Sequence, residues 1–328
     1  MTQARKNQIN CTDTPYYHCI SRCVRRAFLC GTDNSNGKDY SHRKKWIIER
    51  LKLITTVYAI DVCSYAIMDN HYHLVLKINK EKVALLSDDE VIERWMILFS
   101  GNVLINRFIK GECKTQAEID KCQEFIDLWR ERLCDISWFM RSINEYISRK
   151  SNAEDKCTGH FWEGRFKSQA LLNEQAVLSC MAYVDLNPIR AGISDSLDNS
   201  EFTSIKERLD ELAIENKKET QQAIKLADFV GSKEVDGIPY RLMDYLELVD
   251  WTGRAIRDDV GKRGYISNSE PKILNKLGIS AEIWFDTVNE YNKGYHQFIG
   301  SEAELKQVCE FLSVKWVSGI KNSRLLYR

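Results

Sequence analysis

Residues 57–78 read VYAIDVCSYAIMDNHYHLVLKI, and this stretch decides the fold. Two runs rich in β-branched and aromatic residues, VYAIDVCSYAIM and HYHLVLKI, flank Asp69-Asn70. Asn and Asp tolerate the backbone angles that a tight hairpin turn requires, so the stretch reads as two antiparallel strands. The second strand opens with His71-Tyr72-His73, and residues i and i+2 of a strand share a face. Both imidazoles therefore point the same way, a geometry that suits one divalent cation. Two histidines are too few to define a metal site, and a bare H-x-H is more often a pair of unrelated exposed residues.

Upstream, PYYHCISRCV (15–24) is a further strand, and DYSHRKKWIIERLKLITT (39–56) places Trp46, Ile47, Leu51 and Ile54 at helical spacing. Strand, helix and hairpin together make an α+β opening built on an antiparallel sheet. Downstream, residues 80–135 read as an inserted helical subdomain, Ile136–Arg149 as an amphipathic helix, and 151–166 as a polar loop that turns aromatic at Phe161-Trp162. In LLNEQAVLSCMAYVDLNPIRAGI (171–193), Asn173 is the expected N-cap and Pro188 the expected stop. The helix between them should end near Leu186 or Asn187, with Tyr183 in its last turn. A charged helix (201–227) and a linker (231–239) follow, and short helices alternate with turns beyond Tyr240. The expected division is a core of 1–79 and 136–195, the insertion at 80–135, a charged helix and linker at 196–235, and a helical domain at 236–328.

Composition removes whole classes. The chain has 328 residues, 47 Lys+Arg against 47 Asp+Glu, 44% hydrophobic residues, 16 Gly and only 4 Pro. Disordered and fibrous chains do not look like this, and the length supports a substantial core. No apolar run approaches a bilayer span, and MTQARKNQINCTDT has no apolar signal region, so the expected setting is cytoplasmic, with no membrane partner. The 11 Cys are scattered, as reduced thiols would be. Cys11, Cys19, Cys23 and Cys30 form no C-x-x-C pair and read better as small buried hydrophobes than as zinc ligands.

Zero net charge hides an uneven distribution. Residues 1–50 carry ten bases against four acids, whereas 81–135 carry twelve acids against eight bases. Arg22, Arg25 and Arg26 cluster where the first strand ends, as a phosphate-contacting edge would, although most basic clusters are merely solvated faces. Of the six histidines, His18 reads as a satisfied polar residue of the first strand, and His42 and His296 as surface residues.

A metal pair needs a third ligand and a reactive group. Tyr183 and Asn187 are i and i+4, on one helix face, and Asp185 between them should point roughly opposite. A phenol beside a cation is a competent nucleophile, because the cation polarises a phosphoryl oxygen, and an amide oxygen from Asn187 can complete the shell. Taken singly, Tyr183 is more often a core tyrosine and Asn187 a turn residue before proline.

The ordered motifs YYHCISRCVRR, YAIMDNHYHLVL, FMRSINEYISRK, GHFWEGRFKSQALL and YVDLNPIRAG resemble the REP-associated tyrosine transposases of the HUH single-tyrosine superfamily, over roughly residues 14–195. The resemblance implies an HUH/ferredoxin-like core in which His71 and His73 bind Mg²⁺ or Mn²⁺, with Asn187 at the third-ligand position. It implies Tyr183 as catalytic nucleophile, attacking single-stranded DNA beside a hairpin to give a 5′-phosphotyrosine and a free 3′-OH. It also implies a bacterial, nucleoid-associated setting and a monomer or homodimer. Tyr72 departs from the bulky aliphatic usual between the two histidines; pointing away, it should pack rather than ligate. Arg22, Arg25, Arg26, Arg165 and Lys167 are the DNA-contact candidates, and His160 is a weaker one. Phe161 and Trp162 either stack on bases or fill the core. Two other readings stay open: a domesticated protein that grips DNA hairpins without cutting them, and a metal-dependent hydrolase using the histidine pair alone.

Overall fold

The hairpin forms one end of a five-stranded sheet. The computed structural model describes residues 14–24, 30–32, 37–214, 224, 226–230, 237–258, 270–294, 297–320 and 323–324. In chain order the elements are β1 (Tyr16–Arg22), α1 (His42–Val57), β2 (Ile60–Ile67) and β3 (His71–Ile78). The helices α2 (Lys80–Ala84), α3 (Asp88–Leu98), α4 (Val103–Ile109), α5 (Gln116–Arg132) and α6 (Ile136–Glu154) follow. Next come β4 (Lys167–Leu171), α7 (Glu174–Asp185), α8 (Asn187–Arg190), α9 (Ser204–Ile214), α10 (Leu242–Asp258), α11 (Lys272–Leu277) and α12 (Ala281–Gly294). The chain continues through β5 (Phe298–Ile299) and α13 (Glu302–Phe311).

The strand order is β2-β3-β1-β4-β5. The first four strands pair antiparallel, as expected, and β5 adds to β4 in parallel, opposing Ala170 to Phe298 and Leu171 to Ile299. This is an α+β fold with a mixed sheet. A two-residue strand has no periodicity to read, so nothing in the sequence marks β5 among the C-terminal helices.

The two faces of the sheet bury different partners. Tyr17, Cys19, Tyr72, Leu74 and Leu76 face α1 and α6 in a core with Ile47, Leu51, Ile54, Phe139 and Ile143. The insertion α2–α5 extends that core through Trp95 and Trp129, whose rings stack at 5.4 Å. Cys19, Cys23 and Cys30 are buried, and Cys11 lies outside the described residues. The opposite face carries α7, with Ala176, Val177, Cys180, Met181 and Tyr183 packed among Tyr245, Leu248, Trp284, Val288 and Tyr291 of α10 and α12. Helices α10 and α12 therefore share a core with the motif helix. At Gly253 of α10, an added Cβ would lie 3.1 Å from Leu186 Cδ2, which is the close approach that glycine permits.

One expected helix end lies further on. α6 runs past Arg149 to Glu154, because the buried Arg43 guanidinium bonds Glu154 (2.7 Å) and Asp155 (2.5 Å) and holds the extra turn. The motif helix α7 ends at Asp185 with Leu186 as its C-cap, as the Pro188 signal indicates, and Pro188 itself sits in the first turn of the separate short α8, where its missing N–H is not needed. The stop of α8 is a Schellman turn at Gly192 (φ +68°), with the Gly192 N–H on Ile189 O and the Ile193 N–H on Pro188 O.

Candidate active site

Strand register assembles the site. Arg22 opposes His71, Ile20 opposes both His73 and Lys167, and His18 opposes both Val75 and Gln169. Directly paired residues share a face, so His18, Arg22, His71, His73, Lys167 and Gln169 all lie on the side covered by α7. Asn173 caps α7 through the Ala176 N–H (2.8 Å), and the twelve-residue helix carries Tyr183 to the histidines. The rings of His73 and Tyr183 meet edge to face at 5.6 Å, and those of His71 and His73 at 4.8 Å. Tyr72 points to the other core, where its hydroxyl donates to Asn144 Oδ1 at 2.6 Å.

The third residue at the pair is His18. Its ring stacks on His73 at 5.1 Å, its Nε2 lies 2.9 Å from His73 Nδ1, and its Nδ1 lies 2.7 Å from Gln169 Oε1. Burial, reinforced by the neighbouring His71, pushes His18 down to about 4. Burial, and then the Arg22 charge, push His71 to about 4 as well. His73 is lowered well below the ordinary range, chiefly by burial and secondarily by His18 and His71. All three are neutral imidazoles at neutral pH, as metal ligation requires.

Whether the residues fit a cation is answered by orphaned atoms. His73 Nε2 and Asn187 Nδ2 are both buried without a partner among the described residues. Turning the Asn187 amide over puts an acceptor oxygen where the nitrogen finds nothing. Asn187 is the first residue of α8 rather than the last of α7. The pattern of Leu186 N–H to Ala182 O and Arg190 N–H to Leu186 O still keeps it one turn beyond Tyr183. Two imidazoles and an amide oxygen fit a divalent cation that keeps some waters. Among the described residues, no group of three or more His, Cys, Asp or Glu is placed to hold a metal ion.

Tyr183 itself is only 1% exposed. Tyr291 of α12 stacks on its ring at 4.7 Å, and the Arg190 guanidinium lies 4.6 Å from the ring centre while bonding Asn289 O at 2.6 Å. Asp185 faces the other way, toward α9 and α10. Sequence reasoning missed Arg190, though it is seven residues past Tyr183 on the same helix face; it also missed the roles of His18 and Gln169, and it had no signal for Tyr291.

Arg22 and Lys167 are exposed beside the pair, and Arg165 is exposed on the loop before β4. Arg25, Arg26 and His296 lie outside the described residues. Phe161 is buried, and Trp162 is half-buried with its indole N–H on Asn144 O at 2.9 Å, so both are packing residues. His160 is exposed, and exposed His42 pairs with Glu154 at 2.7 Å. Were this face to take single-stranded DNA, replacing Arg22 or Lys167 by alanine would weaken its binding and flatten its log–log salt slope by about 0.7 to 1 for each phosphate that the removed charge neutralised. Unchanged salt dependence in a filter-binding titration would remove them from the DNA path.

No protein-family model matches the chain, and no curated protein matches it in sequence. A solved structure of a REP-associated tyrosine transposase bound to a REP hairpin is similar over 64% of this chain and 86% of that chain, with 11% identity and a TM-score of 0.38. That is a distant likeness, and it assigns no activity or residue role here. No helix among the described residues is long and apolar enough to cross a membrane.

Proposed function

We propose that the protein is a metal-dependent enzyme that cleaves and rejoins single-stranded DNA at hairpin sequences through a covalent link to Tyr183. The observation that carries this reading is the convergence of Tyr183, His71 and His73 on one face of the sheet, with the His73–Tyr183 contact at 5.6 Å. The hairpin substrate rests on the motif resemblance alone. His71 and His73 through Nε2, and Asn187 through its amide oxygen, are the residues that would hold Mg²⁺ or Mn²⁺. When bound, the cation polarises the scissile phosphate and stabilises its developing charge. Tyr183 supplies the phenolic oxygen that bonds to phosphorus as the bond to the 3′-oxygen breaks. That oxygen leaves as a hydroxyl, and the 5′-phosphate stays on the tyrosine. Arg22 and Lys167 position the backbone of the strand.

The test is a denaturing gel of end-labelled single-stranded hairpin DNA incubated with the protein and Mn²⁺. A slow-migrating adduct whose peptide maps to Tyr183 is expected, and its absence would reject the proposal. The burial of Tyr183 under Tyr291 favours one alternative, a hairpin-binding protein that does not cut; it predicts a retained gel shift with no adduct.

His71→Ala and His73→Ala should each lower cleavage at least about 100-fold while leaving DNA affinity within about threefold, since phosphate contacts supply most of the affinity. Asn187→Ala should instead raise the Mn²⁺ concentration needed for half-maximal cleavage. Wild-type cleavage by either histidine variant would show that the pair holds no catalytic metal.

A further inference from the structure

We infer that His18 and Gln169 are positioning residues, forming a directed hydrogen-bond relay that keeps the His73 proton on Nδ1 and its Nε2 lone pair ready for a divalent cation. The inference rests on the reading of His71 and His73 as cation ligands.

The direction of the relay follows from donor and acceptor rules. An amide oxygen only accepts, so the 2.7 Å contact between Gln169 Oε1 and His18 Nδ1 requires the proton on His18 Nδ1. A neutral imidazole carries one N–H, so His18 Nε2 is then an acceptor. Its 2.9 Å contact with His73 Nδ1 requires His73 Nδ1 to donate. A cation ligand is a neutral imidazole, which leaves His73 Nε2 bare, and that atom is buried with no partner among the described residues.

The same rule operates at the other ligand. His71 Nδ1 lies 2.5 Å from Asn70 Oδ1, again an atom that only accepts, so the His71 lone pair also falls on Nε2. The hairpin turn orients one histidine and a two-residue relay across β1 and β4 orients the other. Were the Gln169 amide reversed, its N–H would donate to His18 Nδ1, His18 would donate to His73, and the His73 proton would sit on Nε2, where no cation binds. One side-chain amide thus sets the state of a ligand atom that it does not touch.

The experiment reads the imidazole tautomers of metal-free, ¹⁵N-histidine-labelled protein by long-range ¹H–¹⁵N NMR, beside Mn²⁺ affinity measured by electron paramagnetic resonance of the free ion. The wild type should show His71 and His73 protonated on Nδ1. Gln169→Glu, whose carboxylate also only accepts, should keep that tautomer and bind Mn²⁺ within about threefold of wild type. Gln169→Met and His18→Phe, which remove the relay at similar size, should weaken Mn²⁺ binding about 10- to 100-fold. His73 protonated on Nε2 in the metal-free wild type would overturn the inference. So would unchanged Mn²⁺ affinity in both Gln169→Met and His18→Phe, even if the Tyr183 adduct still formed and the proposed function stood.

Discussion

Tyr183→Phe should abolish the covalent protein–DNA adduct completely while leaving the fold and the DNA gel shift in place. The phenyl ring keeps every ring contact of the tyrosine: the stack on Tyr291 at 4.7 Å and the edges toward His73 at 5.6 Å and His18 at 6.1 Å. Removing one hydroxyl hydrogen bond costs about 1 kcal/mol of stability. The reaction, in contrast, loses the phenolic oxygen proposed to bond to phosphorus, so no residual adduct is expected at any metal concentration. A melting curve beside the denaturing gel separates the two effects. An adduct persisting in Tyr183→Phe would move the nucleophile elsewhere, whereas loss of both adduct and fold would mean that the tyrosine is chiefly a core residue.

What is legible in the sequence is whatever depends on neighbours along the chain. Asp69-Asn70 between two β-rich runs yields the hairpin, period two puts His71 and His73 on one face, and the Asn173 cap starts the helix that carries Tyr183. Register between strands is a different kind of information. That His18 lies beside His73 and opposite Gln169 follows from how β1 pairs with β3 and β4, and no local pattern encodes those pairings. His18 therefore reads as a lone polar residue of the first strand. Pro188 marks the end of α7 at Asp185 correctly, but the single turn of α8 that follows is not legible, because proline also suits a first turn. The cover over Tyr183 comes from α12, more than a hundred residues away, and the short β5 strand exists only because β4 offers it an edge.

Asp185 is the residue where sequence and structure differ most in consequence. Two positions from Tyr183 on α7, it is turned away from the metal by the helical repeat, which on sequence grounds makes it a neutral comparison for Asn187. It does point away, but into a fully buried node. Its Oδ1 accepts from Ser204 Oγ at 2.5 Å and from the Ile205 N–H at 3.1 Å, and its Oδ2 accepts from the Tyr245 hydroxyl at 2.5 Å. Ser204 Oγ in turn accepts from the Tyr65 N–H at 2.9 Å, so one carboxylate ties α7 to α9, α10 and strand β2. Burial raises the Asp185 carboxyl above the usual range, and the Ser204 and Tyr245 bonds work against that rise. Asp185→Ala would strand the Tyr245 hydroxyl and the Ile205 N–H at about 1–3 kcal/mol each, whereas Ser204 Oγ keeps Ser64 Oγ at 3.1 Å as an acceptor, so a loss of about 2 kcal/mol or more is the expected result. At about 2–4 °C per kcal/mol for a large domain, the midpoint should fall by about 4 °C or more. Asp185→Asn keeps the volume and one acceptor oxygen, and its N–H₂ can donate to a Tyr245 hydroxyl that rotates to accept, so its cost should be about 1 kcal/mol. The Mn²⁺ titration of cleavage should be unmoved in Asp185→Asn and shifted in Asn187→Ala. An Asp185→Ala protein that melts with the wild type would show that the node does not hold the motif helix to the C-terminal layer. A shifted metal titration in Asp185→Asn would show that this carboxylate, not the amide of Asn187, is the group that the cation feels.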